Sequence, residues 1–225
     1  MLLAASATVG VEPAFAAWTK VARWEMDESS GATRMHDSSG NVPDGATTIG
    51  SLVNIGVPSD TSFAYEWTAG TVDHTPREER LVTVKSRALN PRRDAFAVTL
   101  RLSTTATDQN IIQKGQATTA GGLWKIETNS DGHVVCAFKG PRGRAAVSSR
   151  VSVADGAWHT VRCIRRRAGV TVIVDSFLPR TQDGRTGRIA NHTRLAIGGK
   201  LFCNPPNVSC QDYVGLLDRV VVRRK

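Results

Sequence analysis

The sequence predicts an all-β protein folded as one antiparallel two-sheet sandwich, and three observations predict it. No interior segment carries an apolar stripe at helical spacing for more than two turns. Short alternating or β-branched runs recur instead between clusters of Gly, Pro, Asn and Asp. Roughly ten to twelve such runs are spread evenly, with no Pro/Ser-rich linker between them, which favours a single domain over 17–225.

Taken in chain order, the stretch 54–80 is the least patterned and is expected to form a long loop. The clearest strand covers 96–102, where Phe96, Val98, Leu100 and Leu102 point one way and Thr99 and Arg101 the other. Runs at 111–113, 123–127 and 133–138 follow, set apart by Gly115, Gly121-Gly122 and Asp131-Gly132. Asp-Gly between two strand-like runs is a hairpin signal, because such turns need residues that tolerate positive φ. Runs at 158–165 and 170–175 flank a turn over 166–169, and Val170, Val172 and Val174 mark a buried face. Runs at 195–197 and 216–222 close the fold.

The amino terminus is of a different kind. Residues 2–11 form a small apolar run, and Ala14-Phe15-Ala16 has the small-x-small pattern a signal peptidase reads, so 1–16 is expected to be an export signal. No Lys or Arg precedes Lys20, so a basic leader segment is expected upstream of Met1. No later stretch approaches the roughly 18 apolar residues needed to cross a bilayer, so the product is expected to be released as a secreted monomer with no membrane span.

Composition narrows the partners. With 40% apolar and 22% charged residues, the 225-residue chain is neither a disordered tail, a coiled coil nor a collagen-like fibre. Lysine and arginine number 29 against 20 acidic residues, and a net +9 favours anionic partners. Arg142, Arg144, Arg165, Arg166, Arg167, Arg223, Arg224 and Lys225 would form a basic surface for acidic glycans or envelope polymers if their hairpins lie together; the alternative is a solvated face spread over separate loops. No nucleic-acid motif accompanies them, so no specific nucleic acid is expected.

Four cysteines, Cys136, Cys163, Cys203 and Cys210, allow three pairings. None of their spacings is C-x-x-C, and an exported chain favours disulfides over zinc. Pairing within neighbouring elements selects Cys136 with Cys163 and Cys203 with Cys210.

Four ordered motifs now carry a family resemblance. Asp155-Gly156-Ala157-Trp158-His159-Thr160-Val161, followed by a basic turn and 170–175, resembles the signature stretch of laminin G-like domains in the concanavalin A-like lectin/glucanase superfamily. Residues 24–31 with 37–41 resemble the opening of secreted bacterial versions, 195–199 the late strand, and 215–222 the closing strand. The resemblance runs from Val21 to the end, and the arginine excess fits an actinobacterial-type source. It implies a jelly-roll sandwich of two curved sheets; read physically, Trp158 is expected to be a core aromatic between them. Ser176 stands where the family usually has glycine, which puts that turn's geometry in question.

The resemblance also implies a structural calcium ion near the meeting of the first and last strands, with Asp37, Asn41 and Asp218 as oxygen donors. The competing reading makes Asp37 a turn cap and pairs Asp218 with Arg219 or Arg223. Glucanases on this scaffold carry acidic residues alternating along one strand, and no Glu-x-Asp-x-(x)-Glu occurs here. His159 has no sequence-evident orienting partner, and no Gly-x-Ser-x-Gly is present, so no catalytic residue is named. The expected function is therefore a noncatalytic binding module for carbohydrate or another cell-envelope ligand, with Tyr65, Trp67 and Trp124 as stacking candidates that compete with core roles. The alternative is a glycan-processing hydrolase or lyase on the same scaffold.

Overall fold

The computed structural model describes residues 18–69, 77–203 and 210–225. The leader expected over 1–16 lies outside the described residues. Fifteen strands appear among them: β1 (Thr19–Trp24), β2 (Thr47–Ile49), β3 (Asn54–Pro58), β4 (Phe63–Trp67), β5 (Val82–Val84), β6 (Phe96–Ser103), β7 (Asn110–Lys114), β8 (Leu123–Thr128), β9 (His133–Gly140), β10 (Gly143–Ser152), β11 (His159–Arg165), β12 (Gly169–Val174), β13 (Arg180–Asp183), β14 (Leu195–Ile197) and β15 (Gly215–Arg224). The only helical turns described are two short 3-10 segments, Asp44–Ala46 and Arg77–Arg80.

The strands form two antiparallel sheets. One runs β13-β12-β11-β6-β15-β4-β3, with β1 also paired to β15; the other runs β10-β9-β8-β7-β14-β5-β2. β15 is the organising strand, with β6 along one side and its other side shared by β4 at Gly215–Leu217 and by β1 at Val220–Arg224. The expected strands at 96–102, 111–113, 123–127, 133–138, 195–197 and 216–222 all form, within two residues of their bounds.

The long loop expected over 54–80 is corrected, since β3 and β4 occupy much of it. Gly56, at φ 72, and Pro58 break the pattern of β3, so its order comes from pairing with β4, which in turn pairs with β15. Trp158 is also corrected: it is half-buried at the surface, with the Arg101 guanidinium 4.3 Å above its ring centroid. At the turn departing from the family pattern, Asp175 takes the left-handed conformation, φ 51, ahead of Ser176.

The core fills the space between the sheets. Val98, Leu100 and Leu102 of β6 and Val161 and Cys163 of β11 are buried with Trp124, Ile126, Cys136 and Phe138 of the opposite sheet. Phe96 reaches across to Trp124 and Phe138, with centroids 5.4 and 6.4 Å away. Cys136 and Cys163 form a disulfide, Cα–Cα 5.7 Å, that ties β9 in one sheet to β11 in the other. Cys203 pairs with Cys210, Cα–Cα 4.7 Å, as expected.

Alternation of strand direction sorts the connections between two rims. Segments 85–95, 115–122, 141–142, 166–168 and 184–194 share one rim, as shown by the registers Val84↔Leu195↔Lys114 and Phe96↔Arg165. These segments contain ten lysines and arginines and a single carboxylate, Asp94. At the opposite rim, the hairpins 129–132 and 175–179 and the sheet-to-sheet connections 104–109 and 153–158 contain four aspartates and no lysine or arginine, and Arg77 and Arg80 of the segment leading into β5 are paired with Asp212. The sandwich is thus charge-polarised along its strands.

Candidate functional site

The basic rim is built on a rigid frame. Arg165, the last residue of β11, is buried and donates to the carbonyls of Asp94 (2.8 Å) and Gly187 and to Thr186 Oγ1 (2.9 Å). It serves as an internal strut between 92–94 and 186–187, so it leaves the expected basic surface. Burial of the guanidinium pushes its pKa down, partly offset by Asp94. Asn90 and Asn191 are buried, and the Asn90 side-chain amide clasps the Asn191 backbone: Nδ2 donates to Asn191 O at 2.9 Å and Oδ1 accepts from Asn191 N at 3.2 Å. Asn191 Nδ2 also donates to Gly122 O at 2.8 Å. Gly121 lets the chain pass close by: a Cβ there would lie 2.0 Å from Ala190 O, and its φ is 86. Arg92 and Ile189 exchange backbone hydrogen bonds at 2.8 and 2.9 Å, closing the rim.

Between these segments lies a cavity of about 420 Å³ whose wall includes Thr118, Thr119, Lys139, Pro141 and Arg188. Arg142 packs its side chain over Gly187, beside Arg188. Arg142, Arg185 and Arg188 are exposed and have no carboxylate partner among the described residues. Lys139 donates to Ala117 O at 2.9 Å, which holds its charge at the cavity wall. The exposed Arg166 and Arg167 stand at the same rim, and Arg224 is partly neutralised by Asp94 at 3.6 Å. Sequence reasoning named Arg142, Arg166 and Arg167 but missed Lys139, Arg185 and Arg188. The Gly184-Arg185-Thr186-Gly187-Arg188 run was the available signal, a basic segment with glycines for close packing.

The stacking candidates are placed elsewhere. Tyr65, Trp67 and Trp124 are all buried, so as stacking surfaces they are corrected: none presents a ring face to solvent. Tyr65 gives its hydroxyl proton to Glu28, and burial followed by that contact raises its pKa. Trp67 Nε1 donates to Arg80 O and Trp124 Nε1 to Leu89 O, each at 3.0 Å, as buried indoles require.

The three calcium candidates are committed to protein partners. Both oxygens of the buried Asp37 accept hydrogen bonds, from the backbone of Arg23 (2.6 Å), Ser39 (3.1 Å), Asn41 (2.9 Å) and Val42 (2.8 Å) and from the Ser39 hydroxyl. Asn41 Nδ2 donates to Lys20 O at 3.0 Å. Asp218 sits where β15 passes from β4 to β1 and accepts from Arg101 (2.6 Å) and Thr61 (2.7 Å). Its arginine partner is therefore Arg101 on the neighbouring strand. The set does not fit a shared cation, because both Asp37 oxygens and Asp218 Oδ2 are already taken by N–H and O–H donors and Asn41 spends its amide on Lys20 O. Among the described residues no group of three or more His, Cys, Asp or Glu side chains is placed to hold a metal.

His159 has two partners the sequence did not reveal. Nδ1 lies 2.8 Å from Asp175 Oδ2 and Nε2 lies 2.9 Å from Asp155 Oδ1. Burial alone would lower its pKa, but the hydrogen bonds and charges of the two aspartates raise it overall. With both ring nitrogens hydrogen-bonded, the imidazole joins the 153–158 and 175–179 turns. Asp60 and Asp218 are likewise bridged, by Arg101.

Similarity to known proteins agrees with this architecture. Residues 102–225 match the family described as Laminin G domain. Domain 4 of AbnA, a GH43 extracellular arabinanase from Geobacillus stearothermophilus solved with arabinotriose, superposes with TM-score 0.60 at 14% identity, covering 92% of this chain and 93% of that one. Botulinum neurotoxin type C, whose cell entry depends on interaction with two ganglioside molecules, gives 0.60 at 13% identity, covering 92% of this chain and 46% of that one. Mouse laminin alpha1 domains LG4-5 give 0.47 at 19% identity, covering 59% and 37%. The chain thus spans less than half the length of the neurotoxin and laminin chains, and at these identities the likeness shows the fold alone. No curated protein matches it in sequence.

Proposed function

The chain belongs to the laminin G domain family, and from that premise we propose that it is a noncatalytic extracellular module that binds an acidic glycan or envelope polymer at its basic rim. One observation carries the reading: unpaired arginines are held on a braced rim around a 420 Å³ cavity. Such a site gains from an anionic ligand without first breaking internal ion pairs, and preorganised loops lose little entropy on binding. The extracellular setting rests on the two disulfides, with the leader expected over 1–16 as part of the same proposal.

The noncatalytic part is supported by the bridging of Asp155 with Asp175 and of Asp60 with Asp218, since glycoside hydrolysis needs one free acid and one free carboxylate. The AbnA domain and the neurotoxin lend support of a weaker kind, as the same fold with sugar ligands. The test is an array of neutral, uronate-bearing and sulfated oligosaccharides, with product analysis of every retained probe. Retention of acidic probes without cleavage is expected. Preferential retention of neutral probes would remove the charge-based reading, and turnover abolished by one carboxylate substitution would establish a hydrolase or lyase instead.

A further inference from the structure

Beside the basic cavity lies a smaller one of about 30 Å³, lined by Gln113, Gly115, Gln116, Thr119, Thr193, Leu201 and Phe202. Thr119 lines both, so the two are neighbours across the 115–122 turn. The smaller cavity has no charged residue in its wall, in contrast to the first.

Two features of its wall are unusual. Gln113 is buried, 6% exposed; its Nε2 donates to Gly115 O at 2.7 Å, which fixes the amide orientation, and its Oε1 has no hydrogen-bond partner. An orphaned buried carbonyl oxygen costs free energy unless a donor reaches it. Phe202 is 64% exposed, although large aromatic side chains are ordinarily buried. Its backbone is held in place: Gln116 Nε2 donates to Phe202 O at 2.5 Å, and the adjoining Cys203 is tied to Cys210. Thr119 Oγ1 accepts from Gln116 N at 2.7 Å, and its proton has no acceptor among the described residues.

An acceptor, a donor and an exposed aromatic ring around a space the size of one hydroxyl group match a sugar ring, whose faces carry C–H groups and whose rim carries hydroxyls that both donate and accept. We propose that Gln113, Thr119 and Phe202 form a second subsite, where an uncharged sugar unit of the bound chain stacks on Phe202 and places one hydroxyl in the Gln113 cavity. The subsite rests on the reading of the basic rim as a glycan site, and adds that the ligand alternates or mixes charged with neutral units along its length.

The test titrates whichever array oligosaccharide the full chain retains best, at low and at high salt, against wild type, Phe202→Ala, Thr119→Val, Gln113→Leu and Arg188→Ala. Phe202 is exposed, so its variant is expected to melt like wild type and to bind about tenfold more weakly, by the same factor at both salt concentrations. Thr119→Val and Gln113→Leu are expected to weaken binding likewise, whereas the Arg188→Ala effect shrinks as salt rises. If Phe202→Ala and Thr119→Val bind as wild type while Arg188→Ala does not, the subsite is overturned and the rim remains. If wild type retains none of the oligosaccharides, both are overturned.

Discussion

Lys114 shows at one position what the core tolerates. It lies on an inward-facing row of β7, opposite Trp124 and Leu195, with 1% exposure, and its ammonium donates to Thr193 O. Burial lowers its pKa to about 8. The folded state therefore holds fewer protons than the unfolded chain between about pH 8 and the ordinary lysine value, and stability rises with pH across that window. Lys114→Met is expected to raise stability at pH 7 by about 1–3 kcal/mol and to flatten that rise, as read from urea unfolding at pH 7 and pH 10. An unchanged pH slope in the variant would contradict this placement.

Asp218 makes the second prediction at this scale. It is paired with Arg101, whose side chain is itself mostly buried and covers Trp158. Asp218→Ala leaves that guanidinium with the more exposed Asp60 alone and is expected to cost about 2–4 kcal/mol. Melting of the wild type is expected to be the same with calcium and with chelator, since both Asp37 oxygens and Asp218 Oδ2 already have protein donors. A calcium-dependent rise that Asp218→Ala abolishes would overturn that account.

Among elements, legibility followed whether a strand buries an apolar face. β6 and β12 present Val and Leu at alternate positions and were plain from the sequence. β13, Arg-Thr-Gln-Asp, is fully exposed and held to β12 by backbone pairing and a Thr171–Thr181 hydroxyl contact at 2.9 Å, so no hydrophobic signal marks it. β10 is a long edge strand whose inward residues include Ala145, Val147 and Ser149, small enough that the pattern 143–152 reads as polar. The cysteine pairing was readable because each pair joins neighbouring runs, but not that Cys136–Cys163 clamps the two sheets together. Replacing Cys136 and Cys163 together by Ala is expected to lower unfolding free energy by roughly 2–4 kcal/mol. Replacing Cys203 and Cys210 should leave global unfolding nearly unchanged and loosen the Phe202 segment, as read by amide exchange.

At the scale of the molecule, the proposed function depends on a sorting no local motif encodes. Arg142, Arg166 and Arg188 come from three separate connections and meet at one rim only because antiparallel strands return there. The sequence fragments supplied charge, and the topology supplied its address, which is why the basic surface could be suspected but not placed. The aromatic candidates failed for the complementary reason. In a chain with few aromatic rings, Tyr65, Trp67 and Trp124 are the large side chains needed to fill the sandwich.

The most direct measurement is the affinity of the best-retained acidic oligosaccharide as a function of salt, for wild type and for the Arg142→Ala, Arg188→Ala double variant. Affinity is expected to fall steadily as salt rises, with a clearly shallower slope in the double variant and no product in either. An affinity indifferent to salt and to both substitutions would contradict the basic rim as the binding site.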